Sequence, residues 1–126
     1  MIHGIGTDIV EYARFERMLE RYGDRLAGRL LSERELPAFK SSPRAARFLA
    51  KRFAAKEAFA KAVGSGLRDP VSLRRISITN DGLGKPLLQF DQMLHTHLAQ
   101  LGITGHHLSI SDESNLIVAF VVLETA

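Results

Sequence analysis

Apolar positions along the chain follow two periods. In MIHGIGTDIVEY, Met1–Tyr12, they suit a strand, with Ile5, Thr7 and Ile9 facing one way and Gly6, Asp8 and Val10 the other. From about Ala13 the period lengthens. Phe15, Met18, Leu19, Tyr22 and Leu26 recur at the spacing of an amphipathic helix, with a break predicted at Gly23-Asp24. Ser32–Glu35 fits a capping box for a short helix near Leu36–Phe39. Ser42 and Pro43 read as the N-cap and first residue of a long helix, Pro43 to Val63. Its apolar half comprises Ala45, Phe48, Leu49, Ala55, Phe59, Ala60 and Val63, and Gly64-Ser65-Gly66 ends it. Ile76 and Ile78 start a strand, Asn80–Pro86 turns, and Leu87–Phe90 pairs back. Met93–Leu101 reads as a helix, and His107–Ser111 with Leu116–Leu123 forms a closing hairpin through Asp112–Asn115. Helices alternating with antiparallel hairpins predict an α+β fold, an antiparallel sheet with one long helix and several shorter ones.

Composition narrows this only a little. A chain of 126 residues with 45% hydrophobic and 25% charged content suits one domain, residues 1–126, with a core of its own. No basic-plus-apolar leader precedes the first strand, and the longest apolar run, Leu116–Leu123, is far too short to span a bilayer. The absence of cysteine excludes disulfides and thiolate metal sites and suits a cytoplasmic protein. A formal charge of +3 and a pI near 9.6 point to an anionic ligand or acidic partner.

Candidate chemistry concentrates in two segments. Arg52–Ala62, RFAAKEAFAKA, stacks Glu57 and Lys61 one turn apart, with Phe53 one turn earlier on the same stripe. The pair reads either as a surface ion pair or as a carboxylate and an ammonium for a metal–phosphate group. Asp8 is the second signal. A carboxylate in so apolar a strand is costly unless exposed, paired or bound to a cation, and it comes too early to cap the first helix. Gly4 and Gly6 would admit a close backbone or ligand.

Other apparent motifs carry less. Gly64-Ser65-Gly66 follows a helix instead of opening one, so it reads as a C-cap and lacks the charge of a phosphate loop. Pro86 after Gly84-Lys85 excludes a Walker loop, which needs Ser or Thr there. His95 with His97, and His106 with His107, have the wrong spacings for a closed zinc site. Arg14, Arg17, Arg21 and Arg25 form a stripe beside the apolar helical face. It reads as a solvated face, a phosphate-binding surface or a dock for an acidic protein. No nucleic-acid module or aromatic–basic interleaving accompanies it.

Four segments at matching separations resemble the bacterial holo-acyl-carrier-protein synthases, the small class of 4′-phosphopantetheinyl transferases. They are GIGTDIVE at Gly4–Glu11, FLAKRFAAKEAFAKAVGSG at Phe48–Gly66, GKP at Gly84–Pro86, and HLSIS at His107–Ser111 before an apolar last strand. The resemblance implies that family's fold and its reaction. In that reaction 4′-phosphopantetheine moves from coenzyme A to a serine of apo-acyl carrier protein, releasing adenosine 3′,5′-bisphosphate and activating the carrier for fatty acid synthesis. It implies Mg2+ held by Asp8 and Glu57, with Lys61 on the phosphate and Glu57 as the base. It places coenzyme A on Lys61, Arg44, Arg52, Ser65, Gly66, Pro86 and His107, and the carrier on Arg14 and, from the stripe, Arg21. Family members are trimers with active sites between subunits. The family motif H-x-S-I-S-H ends here in Asp112, so no second imidazole stands at that position. A non-enzymatic basic module, and a transferase of broader carrier specificity with two fused halves, are the competing readings. Magnesium dependence separates the first of these, and chain length disfavours the second.

Overall fold

The structure, a computed structural model, describes residues 1–126. In chain order the elements are β1 (Ile2–Glu11), α1 (Tyr12–Tyr22), α2 (Asp24–Leu30), α3 (Leu36–Ser41), α4 (Ala45–Val63), β2 (Ile76–Asn80), β3 (Pro86–Phe90), α5 (Gln92–Gln100), β4 (Ile103–Glu113) and β5 (Leu116–Thr125). Strands β1, β5 and β4 form one antiparallel sheet in that order, and β2 pairs with β3 in a separate hairpin, so the class is α+β. No helix is long and apolar enough to cross a membrane.

Helix α4 lies across one face of the three-stranded sheet, against Ile117, Ala119, Val121 and Leu123 of β5, all fully buried. The approach is set by small residues. Ala46, Ala50, Ala54, Ala58 and Ala62 repeat every fourth position and form one buried ridge along α4. At its end the ridge meets Gly4 and Gly6 of β1. A Cβ on Gly6 would lie 1.9 Å from the Ala58 carbonyl oxygen, and one on Gly4 2.1 Å from that of Ala62. The two glycines therefore admit another backbone, and α4 is that backbone.

The opposite face of the helix is not solvated either, because α1, α2 and β2 cover it. Hence Ala45 and Phe48, expected in the apolar half, are only partly buried, while Lys56 is fully buried. Its ammonium donates to Glu35 Oε1 at 2.5 Å and to the carbonyls of Leu30 and Leu73. Glu35 also accepts from the Ser32 and Ile78 amides, at 2.9 and 3.0 Å, and lies 3.0 Å from Arg52 Nε. Burial pushes Lys56 down to about 8, against the pull of Glu35. With every polar atom of the carboxylate engaged, this cluster joins α2, α4 and β2 without leaving a buried charge unpaired.

Local signals place most boundaries. Gly23, at φ +58, separates α1 from α2, so Leu26 belongs to the second helix. The capping box at Ser32 and Glu35 forms, over a 3-10 turn (Glu33–Glu35) that leads into α3. Gly64 caps α4 in the left-handed conformation. The long helix starts two residues later than Ser42-Pro43 predicts. Arg44 is its N-cap, at φ −127 and ψ 66, and Ser42 Oγ accepts from the Arg44 amide to form a turn ahead of the helix. The closing hairpin extends beyond its expected ends. Asp112 and Glu113 remain in the ladder opposite Ile117 and Leu116, and only Ser114-Asn115 turns.

Candidate active site

Asp8 follows Gly6 on the face of β1 that meets α4, so the glycine contact also decides where its carboxylate lies. Lys61 Nζ is 3.2 Å from Asp8 Oδ1 and donates to the Thr7 carbonyl at 2.9 Å. The surface Glu57–Lys61 bridge does not form; Lys61 turns to Asp8 instead. The Asp8 side chain is 16% exposed, and its second oxygen, Oδ2, is buried with no hydrogen-bond partner. Glu57, one turn before Lys61 and half-buried, is pushed up by burial and by Asp8, with Lys61 pulling back. Two carboxylates thus repel one another across a partly dry space, one of them with an orphaned oxygen. That donor set fits a small, hard divalent cation, which takes one or two carboxylates and completes its shell with phosphate oxygens and water.

A second feature lies toward the start of α4, where a cleft of about 360 Å³ opens between the helix, the β2–β3 hairpin and the end of β4. Arg44, Arg52 and Pro86 line it, together with Arg47, Lys51 and Asp112. Arg52 is held at its inner wall by Glu35 and by donating to the Ile78 carbonyl at 3.0 Å, and it lies over the Phe48 ring. Arg47 and Lys51 are not among the residues that the sequence motifs single out. Their spacing with Arg44, three then four residues, is a basic helical stripe that could have revealed them.

The remaining expected ligand contacts stand elsewhere. Ser65 and Gly66 follow the far end of α4, a helix about 28 Å long. His107 is on the sheet face turned away from α4, where its ring meets Glu124 at 2.5 Å. His106 faces the other way and packs edge-on against Phe90, and burial and then His107 push its imidazole down. One chain therefore gathers Asp8, Glu57 and Lys61 in one place and Arg44, Arg52 and Pro86 in another. It does not bring Ser65, Gly66 or His107 to the basic cleft.

Arg14 borders a third feature, an apolar groove of about 420 Å³ floored by Phe15, Met18, Leu26 and Phe53 between α1, α2 and α4. Arg25 and Arg29 complete its basic rim, whereas Arg21 lies over the Tyr22 ring outside it. Met18 and Tyr22, expected to pack inward, instead leave this groove open; Tyr22 is exposed. Gly23 breaks the helix there, and the separate helix α2 forms one wall of the groove.

A family model described as the 4′-phosphopantetheinyl transferase superfamily matches residues 4–121. The chain is 60% identical over 124 residues to the holo-[acyl-carrier-protein] synthase of Nitrosospira multiformis, spanning 98% of this chain and 99% of that protein. The crystal structure of the holo-[acyl-carrier-protein] synthase from Neisseria meningitidis matches with a TM-score of 0.96 at 49% identity, over 99% of this chain and 100% of that one. The Bacillus anthracis synthase, solved in complex with CoA (3′,5′-ADP), matches with a TM-score of 0.81 at 41% identity, over 100% and 99%. The chain belongs to the 4′-phosphopantetheinyl transferase superfamily. It is an enzyme of the group formed by the holo-acyl-carrier-protein synthases.

Proposed function

We propose that this enzyme transfers 4′-phosphopantetheine from coenzyme A to a serine of apo-acyl carrier protein in the cytoplasm, with Mg2+ held by Asp8 and Glu57, and so activates the carrier for fatty acid synthesis. The observation that carries this reading is the buried, unpartnered Asp8 Oδ2 beside the raised carboxyl of Glu57, with Lys61 at the same place. When bound, Mg2+ would supply positive charge against the pyrophosphate oxygens. Lys61, more than half exposed, reaches the phosphate that is attacked and offsets the charge that develops on it. Glu57 accepts the serine proton, directly or through a water. The serine oxygen bonds to the phosphorus that carries pantetheine. The bond from that phosphorus to the bridging oxygen breaks, and adenosine 3′,5′-bisphosphate leaves. Arg44 and Arg52, with Pro86, receive the nucleotide end of coenzyme A in the basic cleft. Incubating apo-acyl carrier protein with this protein, coenzyme A and Mg2+ should add one phosphopantetheinyl group by intact mass. An unchanged mass, or transfer that persists in chelator, would overturn the assignment.

The outer sheet face supports assembly into a trimer. Ile5 and Ile9 are 59% and 60% exposed and pair in register with Val122 and Val118, next to exposed Phe120. A contiguous apolar face of this kind marks a protein contact. His107 lies on the same face, so a neighbouring copy seated there would supply the contacts a single chain leaves dispersed. Phe120→Glu should therefore give monomers by sedimentation and lose transfer together with assembly. A stable Phe120→Glu trimer would place the contact elsewhere.

The groove at Arg14 suits an acidic helix that presents an apolar side chain, which is how the carrier would dock. Arg14→Glu should raise the KM for the carrier about tenfold at low salt, leaving that for coenzyme A unchanged. The effect should shrink as salt rises. A raised KM for coenzyme A instead would mean that this rim meets nucleotide phosphate.

A further inference from the structure

Asp112 is the one acid lining the basic cleft, and it is engaged with two of the cations there. Its Oδ1 accepts from Arg47 Nη1, and its Oδ2 lies 3.3 Å from Lys51 Nζ. Arg47 and Lys51 are one turn apart on α4, which is why a single carboxylate from β4 spans both. Arg47 has other anchors. It donates through Nη2 to the Ser114 carbonyl at 3.0 Å, and its guanidinium lies 4.2 Å from the centre of the Tyr12 ring. Lys51 has no other partner, and its side chain is 40% exposed. Arg52 is committed to Glu35 and Ile78. Among the cations of the cleft, only Arg44 is free of an acidic partner. A phosphate entering the cleft meets a carboxylate already in place on Arg47 and Lys51.

We propose that Asp112 is a built-in counter-anion of this cleft. By sharing Arg47 and Lys51 with the ligand's phosphate, it sets how tightly the enzyme holds the nucleotide end of coenzyme A and of the adenosine 3′,5′-bisphosphate product. This rests on the proposed reaction, which places that end in the cleft. The physical basis is charge exchange. Binding a phosphate there substitutes one anion for another on the same two cations, and the displaced carboxylate stays within a few ångströms as a like charge. Product and substrate share the nucleotide end, so Asp112 weakens both. Its benefit lies in turnover, because a product rich in phosphate would otherwise dissociate slowly from so basic a cleft. The pantetheine end and the carrier, which lie beyond its reach, are untouched.

Asp112→Asn keeps the size and an acceptor for Arg47 but removes the charge. It should tighten the binding of both coenzyme A and adenosine 3′,5′-bisphosphate roughly three- to tenfold by calorimetry, with kcat lowered and the carrier KM unchanged. The gain should fade in high salt, and Asp112→Glu, which restores the charge, should return the affinities toward those of the unaltered protein. Unchanged or weaker nucleotide binding by Asp112→Asn, in a protein that melts at the usual temperature and still transfers phosphopantetheine, would overturn the proposal alone. It would mean that Asp112 is a structural tie that orients Arg47. Failure of the unaltered protein to bind coenzyme A at all would overturn the proposed reaction, and this inference with it.

Discussion

Asp8→Asn and Glu57→Gln should each lower phosphopantetheine transfer by at least about a hundredfold, the scale set by losing one preorganised electrostatic partner of a transition state. Neither should unfold the protein. The amides match the carboxylates in shape, and Asp8 Oδ2 has no protein partner to lose. Stability should even rise slightly in Glu57→Gln. Burial and Asp8 raise the Glu57 carboxyl in the folded state, so the unfolded chain releases that proton first. Between the ordinary glutamate value and the raised one, the folded state binds more protons, and stability falls as pH climbs through that window. A neutral amide escapes this cost. Asp8→Asn should also bring Glu57 back toward its ordinary value, since the coulombic contribution of Asp8 disappears. Mass-based transfer assays across a Mg2+ titration, run beside thermal melts, separate the two effects. Near-normal transfer in either variant, with Mg2+ still required, would remove that residue from the metal site. Lost activity with a matching loss of melting temperature would make the pair structural.

Gly6→Ala should be the most damaging single substitution to the fold. Its Cβ would sit 1.9 Å from the Ala58 carbonyl oxygen and 2.7 Å from the Ala62 amide nitrogen. Both are backbone atoms in the last turns of α4, so no side chain can swing aside, and the helix must lift from the sheet or β1 must shift. Overpacking of this kind costs about 1–3 kcal/mol when side chains can give. Here the expected loss is ~3 kcal/mol or more, a large part of a typical 5–15 kcal/mol total. Urea denaturation should show a much lower midpoint, or the chain should fail to accumulate in folded form. Whatever folds should also transfer poorly, because lifting α4 separates Asp8 from Glu57 and Lys61. A normal midpoint for Gly6→Ala would mean that helix and strand are not in backbone contact.

The same glycines show how far local pattern reaches. Alternation along β1 placed Asp8 opposite Ile9, and the i, i+4 relation stacked Glu57 beneath Lys61; both hold because each depends on one element's own geometry. Gly23, the Ser32–Glu35 box and Gly64 likewise act through their own backbone, and the elements break where they stand. Helix α4 starts two residues later than Ser42-Pro43 predicts because Ser42 caps a turn as readily as a helix, and only the torsions of Arg44 decide between them.

Contacts between distant elements could not be read in this way. Nothing in the periodicity of α4 says that Lys56 is buried, because its partner Glu35 lies on another element and a lysine between alanines suits a solvated face equally well. Nor does alternation reveal which side of β1 is covered. Ile5 and Ile9 look like core and are exposed, while the glycine face packs on the helix because small residues allow the closer approach. Asp112 stands out in the sequence only as a departure from a motif, and its hold on Arg47 and Lys51 comes from β4 crossing beside α4. By itself the sequence determined which elements form, most of their ends and the alternation of side chains within each, since those are set by short-range sterics and hydrogen bonding. The tertiary structure alone decided which faces meet, which charges are paired and which stay free. Those outcomes depend on the packing of segments far apart in the chain, and no local period records it.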